Sequence, residues 1–429
     1  MTSSILNDNG GRGLLVENLR SLAHVQSSKI ERNQYVAGIN IVRGAGDLNV
    51  TTSYISMNNG EGVNATYSGG TKNISYSVFD MNKGYGVSFW MNETSEHIAF
   101  SQETVVAYST FEENYLSAVK VGNFCQSGFV NVSTNMFNMS KWYGVELDSC
   151  WRKNSESTKV FIGHNKFFSN KQVGIYISPA VNLDGSIEHN LFKEQIKGCV
   201  FVKNDDNHET SFLPLELLVT ENRFEFNEGQ FVLSLGVSDV GPQKIVLTRN
   251  WIKKNRIKQS QEIVARNRIA AVIVVSSQNI TVTRNLLENP DSDYEIGSHL
   301  ADPGANLDCS RNWLGSRKES DVYYRLFDRK DRYTLARIEY RPFLLHDTNY
   351  DTEAELIEYR FVPDFIQGNV IGGEVEGHRE LPAEPGVYTV TRDITVRPNA
   401  KLIVHFGVTL LFKPSIGIMV AGEFFLLFP

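Results

Sequence analysis

The chain has 429 residues, with 42 Lys and Arg against 49 Asp and Glu, a formal net charge of −7 and 41% hydrophobic residues. That length and apolar fraction suffice for a substantial buried core. A charged fraction of 21% excludes a disordered tail, and the lack of a basic run argues against a nucleic-acid partner. Asparagine is in excess, with 37 residues beside 33 Gly. Both types tolerate left-handed backbone, so many tight turns are expected, the Asn themselves supplying the left-handed residue.

Met1–Leu15 lacks a basic region followed by an apolar run, so it does not read as a secretory signal. A repeat begins at once. With a polar residue as position zero, the frame recurs at Ser4, Ser28, Ser53, Ser77, Ser109, Asn135, Asn165, Asn190, Asn222, Asn250, Asn285 and Asn312, at a mean interval of 28 residues. Two places on, the column is apolar every time, including Phe79, Phe111, Phe137, Phe167, Phe192 and Phe224. Three places back it is apolar again, from Val25 and Val50 to Val282 and Cys309. Ten places on it is aliphatic in most coils, usually after Gly or Ala, and five places on it is mostly Asn. Each coil therefore has three short inward-facing segments, too short for helices, with the alternation of strands seen in Ile280-Thr281-Val282. The pattern predicts an all-β, right-handed parallel β-helix of about twelve coils over residues 1–316, with Asn ladders at the corners.

After Asn312-Trp313-Leu314-Gly315 the register stops. Residues 317–385 read as a capping and connecting segment, which an open solenoid end needs against edge pairing. Strand alternation resumes in 386–429, for example Tyr388-Thr389-Val390, and reads as the start of a second β-helix segment. The apolar C-terminal stretch is interrupted by His405, Lys413, Pro414 and Glu423, so it is not a transmembrane helix. These features are those expected of a piece of a longer protein.

Seven N-x-[ST] sequons, at Asn49, Asn64, Asn73, Asn92, Asn131, Asn138 and Asn279, are candidate glycosylation sites. Asn49, Asn73 and Asn131 fall between inward-facing neighbours and should point outward. Four cysteines are too few for a disulfide scaffold. Cys125 and Cys150 lie at similar places in adjacent coils and are the candidate disulfide, while Cys199 and Cys309 read as buried thiols.

Chemistry is sparse. The best stacked carboxylates are Asp80 and Glu112, and the next coils place Asn138, Phe168 and Lys193 in that column, so no acidic groove is expected. Asp205-Asp206 lies in a polar loop. Arg256-Ile257-Lys258 matches a tripeptide of pectin-degrading hydrolases, whose partner motifs are missing. His164 and His189 fall in one column without a third ligand at helpful spacing for zinc. No metal, cofactor or catalytic motif is recognised.

Several stretches resemble one family: Asn9-Gly10-Gly11-Arg12-Gly13-Leu14, Asn312-Trp313-Leu314-Gly315 with Phe327-Asp328 and Arg341-Pro342-Phe343-Leu344, and Asp393-Ile394-Thr395-Val396-Arg397-Pro398 running into Gly417-Ile418-Met419-Val420-Ala421-Gly422. Together they are similar to the bark beetle (anakonda) proteins of invertebrate epithelia. The resemblance implies a β-helix ectodomain segment of a large single-pass membrane protein that organises tricellular and septate junctions. It implies no catalytic residues and no cofactor. Its partners would be other ectodomains at cell junctions, homophilic contact among them. The membrane would be reached only through other parts of the full-length protein. This chain differs in having no signal, span or cysteine-rich module, which puts its own membrane attachment in question. The expected function is a non-enzymatic extracellular structural and adhesion segment; the alternative is a carbohydrate-active enzyme or sugar-binding module on the same fold.

Overall fold

The computed structural model describes every residue except 69, 91–101, 123–127, 149–156, 179–181, 204–212, 240, 260–268, 354–360, 362–363 and 429. Three parallel sheets run along a rod, and each coil up to Ile280–Thr283 contributes one strand to each. The first sheet has twelve strands, from Ile5–Asn7 to Trp313–Leu314. The second has twelve, from Leu14–Leu19 to Leu326–Phe327, and the third has ten, from Leu22–Gln26 to Ile280–Thr283. At ~4.8 Å per coil the twelve-stranded sheets make a right-handed parallel β-helix roughly 58 Å long.

Register follows the sequence columns. Phe79 pairs with Ile55 and Phe111, and Phe137 with Phe111 and Phe167. Phe79, Phe111, Phe137, Phe167, Phe192 and Phe224 are fully buried and stack with centroids 4.5 to 5.2 Å apart. Gly62, Gly86, Gly144 and Gly174, at the second-sheet strands, leave room for these rings. A Cβ on Gly144 would lie 2.7 Å from Phe167 Cδ1 and from the Gly174 carbonyl oxygen.

The corner from third to first sheet is two residues long in every coil from Gln26–Lys29 to Thr283–Leu286. Here the expectation about asparagine is corrected. The left-handed residue is not the Asn or Ser of the ladder but the one before it: Thr52, Tyr76, Tyr108, His164, Glu221 and Arg249 have φ between +50° and +56°. The same holds at the corner after the first sheet, for example at Met57, Met81 and Glu113. An outward residue makes the turn so that the Asn amide can point inward. Its oxygen then accepts from the previous coil, and its nitrogen donates to the next Asn and to backbone carbonyls. Turning a non-glycine residue left-handed costs on the order of 1–2 kcal/mol. The ladder supplies several hydrogen bonds in return, in a place where orphaned polar groups would be costly.

The ladder five places on runs through Asn33, Asn58, Asn82 and Asn114, then, after Ser140, through Asn170, Gln195, Asn227, Asn255 and Asn289. It ends on buried Glu295, which accepts from Asn289 at 2.7 Å and pairs with Arg325 at 2.6 Å.

The same apolar core continues beyond Leu314 through Val322, Leu326, Ile338, Tyr340 and Phe343. Val322 belongs to the helix Glu319–Tyr324, and Arg337–Glu339 pairs in parallel with Asn306–Asp308. The segment 346–353 then folds back over the outer face of the first sheet. Tyr350 packs against Trp251, Leu286, Trp313 and Leu344, while Lys253 binds Asp347 and Arg284 binds Asp351. A second core gathers Phe365, Ile371, Val375, Leu381, Tyr388, Val390, Ile394, Val396, Leu402 and Val404. Its strands, among them Val387–Val396 and Lys401–Val404, pair in parallel with strands before and after them in sequence, which is how a second solenoid begins. The two parts meet where Asp393 accepts from the Tyr333 amide at 2.9 Å and donates its own amide to the Asp331 carbonyl.

Candidate functional site

A rod of this kind carries function on its outward faces, because every inward position is committed to core or ladder. The densest polar network lies on the second sheet. Lys120 reaches Glu146 at 2.9 Å and Asp148 at 3.0 Å in the next coil, and the Tyr85 hydroxyl at 3.3 Å in the coil before. Glu146 also accepts from Ser117. Burial works against the charge on Lys120, but the Glu146 carboxylate and the hydrogen bonds to Glu146 and Asp148 outweigh it and hold the ammonium above its ordinary range. Tyr143 stacks on Tyr176 at 4.7 Å, and burial pushes the Tyr176 hydroxyl up to about 12, so it stays a proton donor. This network binds itself together: both carboxylates that converge here are ion-paired with Lys120.

Further along the same face, a cleft of about 570 Å³ is lined by Phe201, Phe231, Ile269 and Leu300, with Lys203, Asp239 and His299 at its polar positions. Phe201 continues the Tyr176 column, and the two rings meet edge to face at 5.8 Å.

The sequence-derived candidates distribute as follows. Asp80 and Glu112 are register partners, but Asp80 accepts from the Tyr54 hydroxyl and Glu112 from the Asn138 amide, each at 3.0 Å. His164 and His189 stack at 4.9 Å, and His189 reaches Glu221 at 3.1 Å. Among the described residues no cluster of three or more His, Cys, Asp or Glu could hold a metal ion. Arg256 faces Glu228 and Lys258 faces Asp293 while Ile257 is buried, so the tripeptide does not converge on one point. Cys199 and Cys309 are fully buried free thiols, and burial pushes both up. Cys125, Cys150, Asn92, Asp205 and Asp206 lie outside the described residues.

The six described sequon asparagines are half-buried. Asn49 and Asn73 are register partners on the third sheet, Asn73 donating to Asn49 at 3.2 Å. Asn64 on the second sheet donates to Asn40 at 3.1 Å and accepts from its own sequon Thr66 at 3.0 Å. Asn131 continues the third-sheet column, and Asn279 donates to the Ser238 carbonyl at 3.0 Å.

Sequence reasoning missed two groupings. The Lys120–Glu146–Asp148 network joins coils at unequal intervals and forms no motif, though all three residues fall on outward columns once the frame is set. In the second solenoid His378 and His405 each place Nε2 2.9 Å from the Glu380 carboxylate, and these two hydrogen bonds, His405 first, hold Glu380 below its usual range.

Comparison with known proteins decides the family. Protein bark beetle of Drosophila melanogaster is 44% identical over 451 aligned residues, which cover 99% of this chain. The chain belongs to the bark beetle family. It spans 14% of that relative's length. No family model matches the chain, and no solved structure matches it. Among the described residues, no helix is long and apolar enough to cross a membrane.

Proposed function

We propose that this chain is a non-enzymatic, extracellular structural and adhesion segment of a large cell-junction protein, in which the rod spaces and presents lateral surfaces to partner ectodomains. The observation that carries the reading is the match to Protein bark beetle along 99% of the chain. The construction of the rod supports it. Its interior is closed by aromatic and amide stacks that each join several coils, and its outward columns repeat every ~4.8 Å, a geometry suited to multivalent lateral contact. The outward sequons suit a glycosylated ectodomain. Tagging the full-length protein in an epithelium tests it: concentration at septate and tricellular contacts is expected, and a cytosolic or freely secreted protein overturns it.

One observation favours a second reading, a sugar-binding module. The cleft beside Phe201 and Phe231 combines apolar walls with Lys203, Asp239 and His299, the mixture that small-ligand sites use. Binding or cleavage of a polysaccharide by the purified chain, lost in Phe231→Ala, is the expected result under this reading.

A further inference from the structure

The last three strands of the first sheet and their corners, at 249–255, 284–289 and 311–315, carry Arg249, Lys253, Lys254, Arg284 and Arg311 against one acid, Glu288. Arg249, Arg284 and Arg311 share one corner column, the Arg249 amide donating to the Arg284 carbonyl and the Arg284 amide to that of Arg311. The three side chains thus rise from consecutive coils ~4.8 Å apart, beside the apolar surface of Trp251, Leu286 and Trp313.

The chain covers this face itself, with complementary chemistry. Residues 346–353 hold Asp347, Asp351 and Glu353 and no Lys or Arg. Leu344 bridges to Glu353, and the Leu345 amide donates to the Thr352 carbonyl at 3.2 Å, so the cover is a hairpin loop. Its returning limb follows the arginine column. The Tyr350 hydroxyl donates to the Arg249 carbonyl at 3.4 Å, Arg284 pairs with Asp351 at 2.9 Å, and Arg311 pairs with Glu353 at 2.7 Å. The steps from Tyr350 to Glu353, at ~3.3 Å per residue, cover about the length of two coils at ~4.8 Å.

The fit is incomplete. Among the described residues no carboxylate pairs with Arg249, and its column neighbour Glu221 turns to His189 at 3.1 Å. The indole nitrogens of Trp251 and Trp313 are buried without an acceptor, a costly state for a polar group. The hold is also light. Tyr350 is the loop's apolar anchor, Asp351 is 76% exposed, and exposed ion pairs contribute little. A segment with the same pattern and one further acid, opposite Arg249, would match this face better than the loop does.

We propose that the arginine column is the docking site for an extended acidic segment of a partner protein, which bears an aromatic residue among alternating acids and displaces the 346–353 loop. The loop is then a resident competitor. Its tether gives it an effective concentration on the order of millimolar, so a segment with more contacts is needed to displace it. This names the chemistry of a partner for the adhesion reading, yet it stands or falls in purified protein, whatever the localisation experiment returns.

Fluorescence anisotropy of the labelled peptide Asp-Tyr-Asp-Thr-Glu, the returning limb with an acid placed before it, tests this on the 429-residue chain, with circular dichroism of every variant to confirm folding. The loosened variant Y350A/D351N is expected to bind the peptide about tenfold or more tightly than the wild-type chain. Asp351→Asn alone, which keeps Tyr350 packed, shifts affinity in the same direction by less. In the loosened background Arg249→Glu and Arg311→Glu each weaken binding by about tenfold or more, Lys244→Glu on the third sheet leaves it unchanged, and added salt weakens it. No binding by the loosened variant overturns the proposal, as does equal binding by the wild-type chain or indifference to Arg249→Glu. Equal binding of Asp-Ser-Asp-Thr-Glu, or tighter binding of a heparin disaccharide, makes the column a general anion or acidic-glycan site and overturns the partner class.

Discussion

The side-chain amide and the backbone amide of Asn165 both donate to one oxygen, Asn190 Oδ1, at 3.0 and 2.9 Å. Asn190 in turn donates to the Ile162 and Glu188 carbonyls and to Asn222. One side chain thus satisfies groups in three coils, and the ladder is a core in which polar atoms replace methyl groups.

Asn190→Ala leaves the Asn165 amides without their acceptor and two or more carbonyls without their donor, in a site that water does not reach. Each unsatisfied buried group costs about 1–3 kcal/mol, so a loss of at least ~3 kcal/mol is expected in urea denaturation. Asn190→Ser should cost clearly less. Ser28, Ser53 and Ser77 hold the same position, each hydroxyl accepting from a neighbouring amide and donating to the carbonyl two residues back. If alanine and serine behave alike, the ladder is not what stabilises the corner.

A left-handed residue just after the ladder makes the opposite prediction. Val36 has φ +55°, a conformation in which a β-branched residue is strained. Val36→Asn should raise stability by about 1 kcal/mol, seen as a higher denaturant midpoint at unchanged slope. Asn33→Ala, inside the ladder three residues earlier, should lower it.

How much of this was legible in the sequence follows from what each column demands. The inward columns demand apolar side chains at fixed spacing, so Phe79, Phe111 and their successors announced the period, the fold and the register. The ladder demands Asn or Ser, which is equally visible. The turn residues demand only a backbone angle and point to solvent. Tyr76, His164, Glu221 and Arg249 share no chemistry, so their column is silent, and the left-handed role fell by propensity to the neighbouring Asn. Asn289 was missed because it sits one residue off the frame, and Glu295 because nothing local marks a buried acid that ends a ladder on Arg325. The Lys120 network needed three coils brought side by side.

The aromatic stack gives a packing test. Phe167 lies between Phe137 at 4.8 Å and Phe192 at 4.5 Å and is fully buried. Phe167→Ala should cost roughly 3–5 kcal/mol, and Phe167→Leu much less, since Ile30, Ile55 and Ile252 fill the same column elsewhere. An alanine effect near zero would mean that the neighbouring coils collapse into the gap.

The last prediction concerns a charge in the wall of the core. Lys72 lies in a third-sheet column between register partners Leu48 and Thr104, is 2% exposed and donates to the Gly70 carbonyl at 2.9 Å. Burial lowers its ammonium from 10.5 to about 8, against a smaller opposing pull from Asp47. The folded state therefore releases this proton at lower pH than the unfolded chain. Between about pH 8 and 10.5 the unfolded state binds more protons, so stability rises with pH across that window; below pH 8 both states are charged and the full penalty applies. At ~1.36 kcal/mol per pH unit the penalty is about 3 kcal/mol. Lys72→Met keeps the bulk and removes the charge. It should stabilise the protein at pH 7 by up to that amount and flatten the Lys72 contribution to the pH profile. Urea denaturation of both proteins at pH 7 and pH 9.5 reads this directly: a wild-type chain that loses stability relative to the variant between those pH values would show that Lys72 is stabilised by its surroundings, not strained by them.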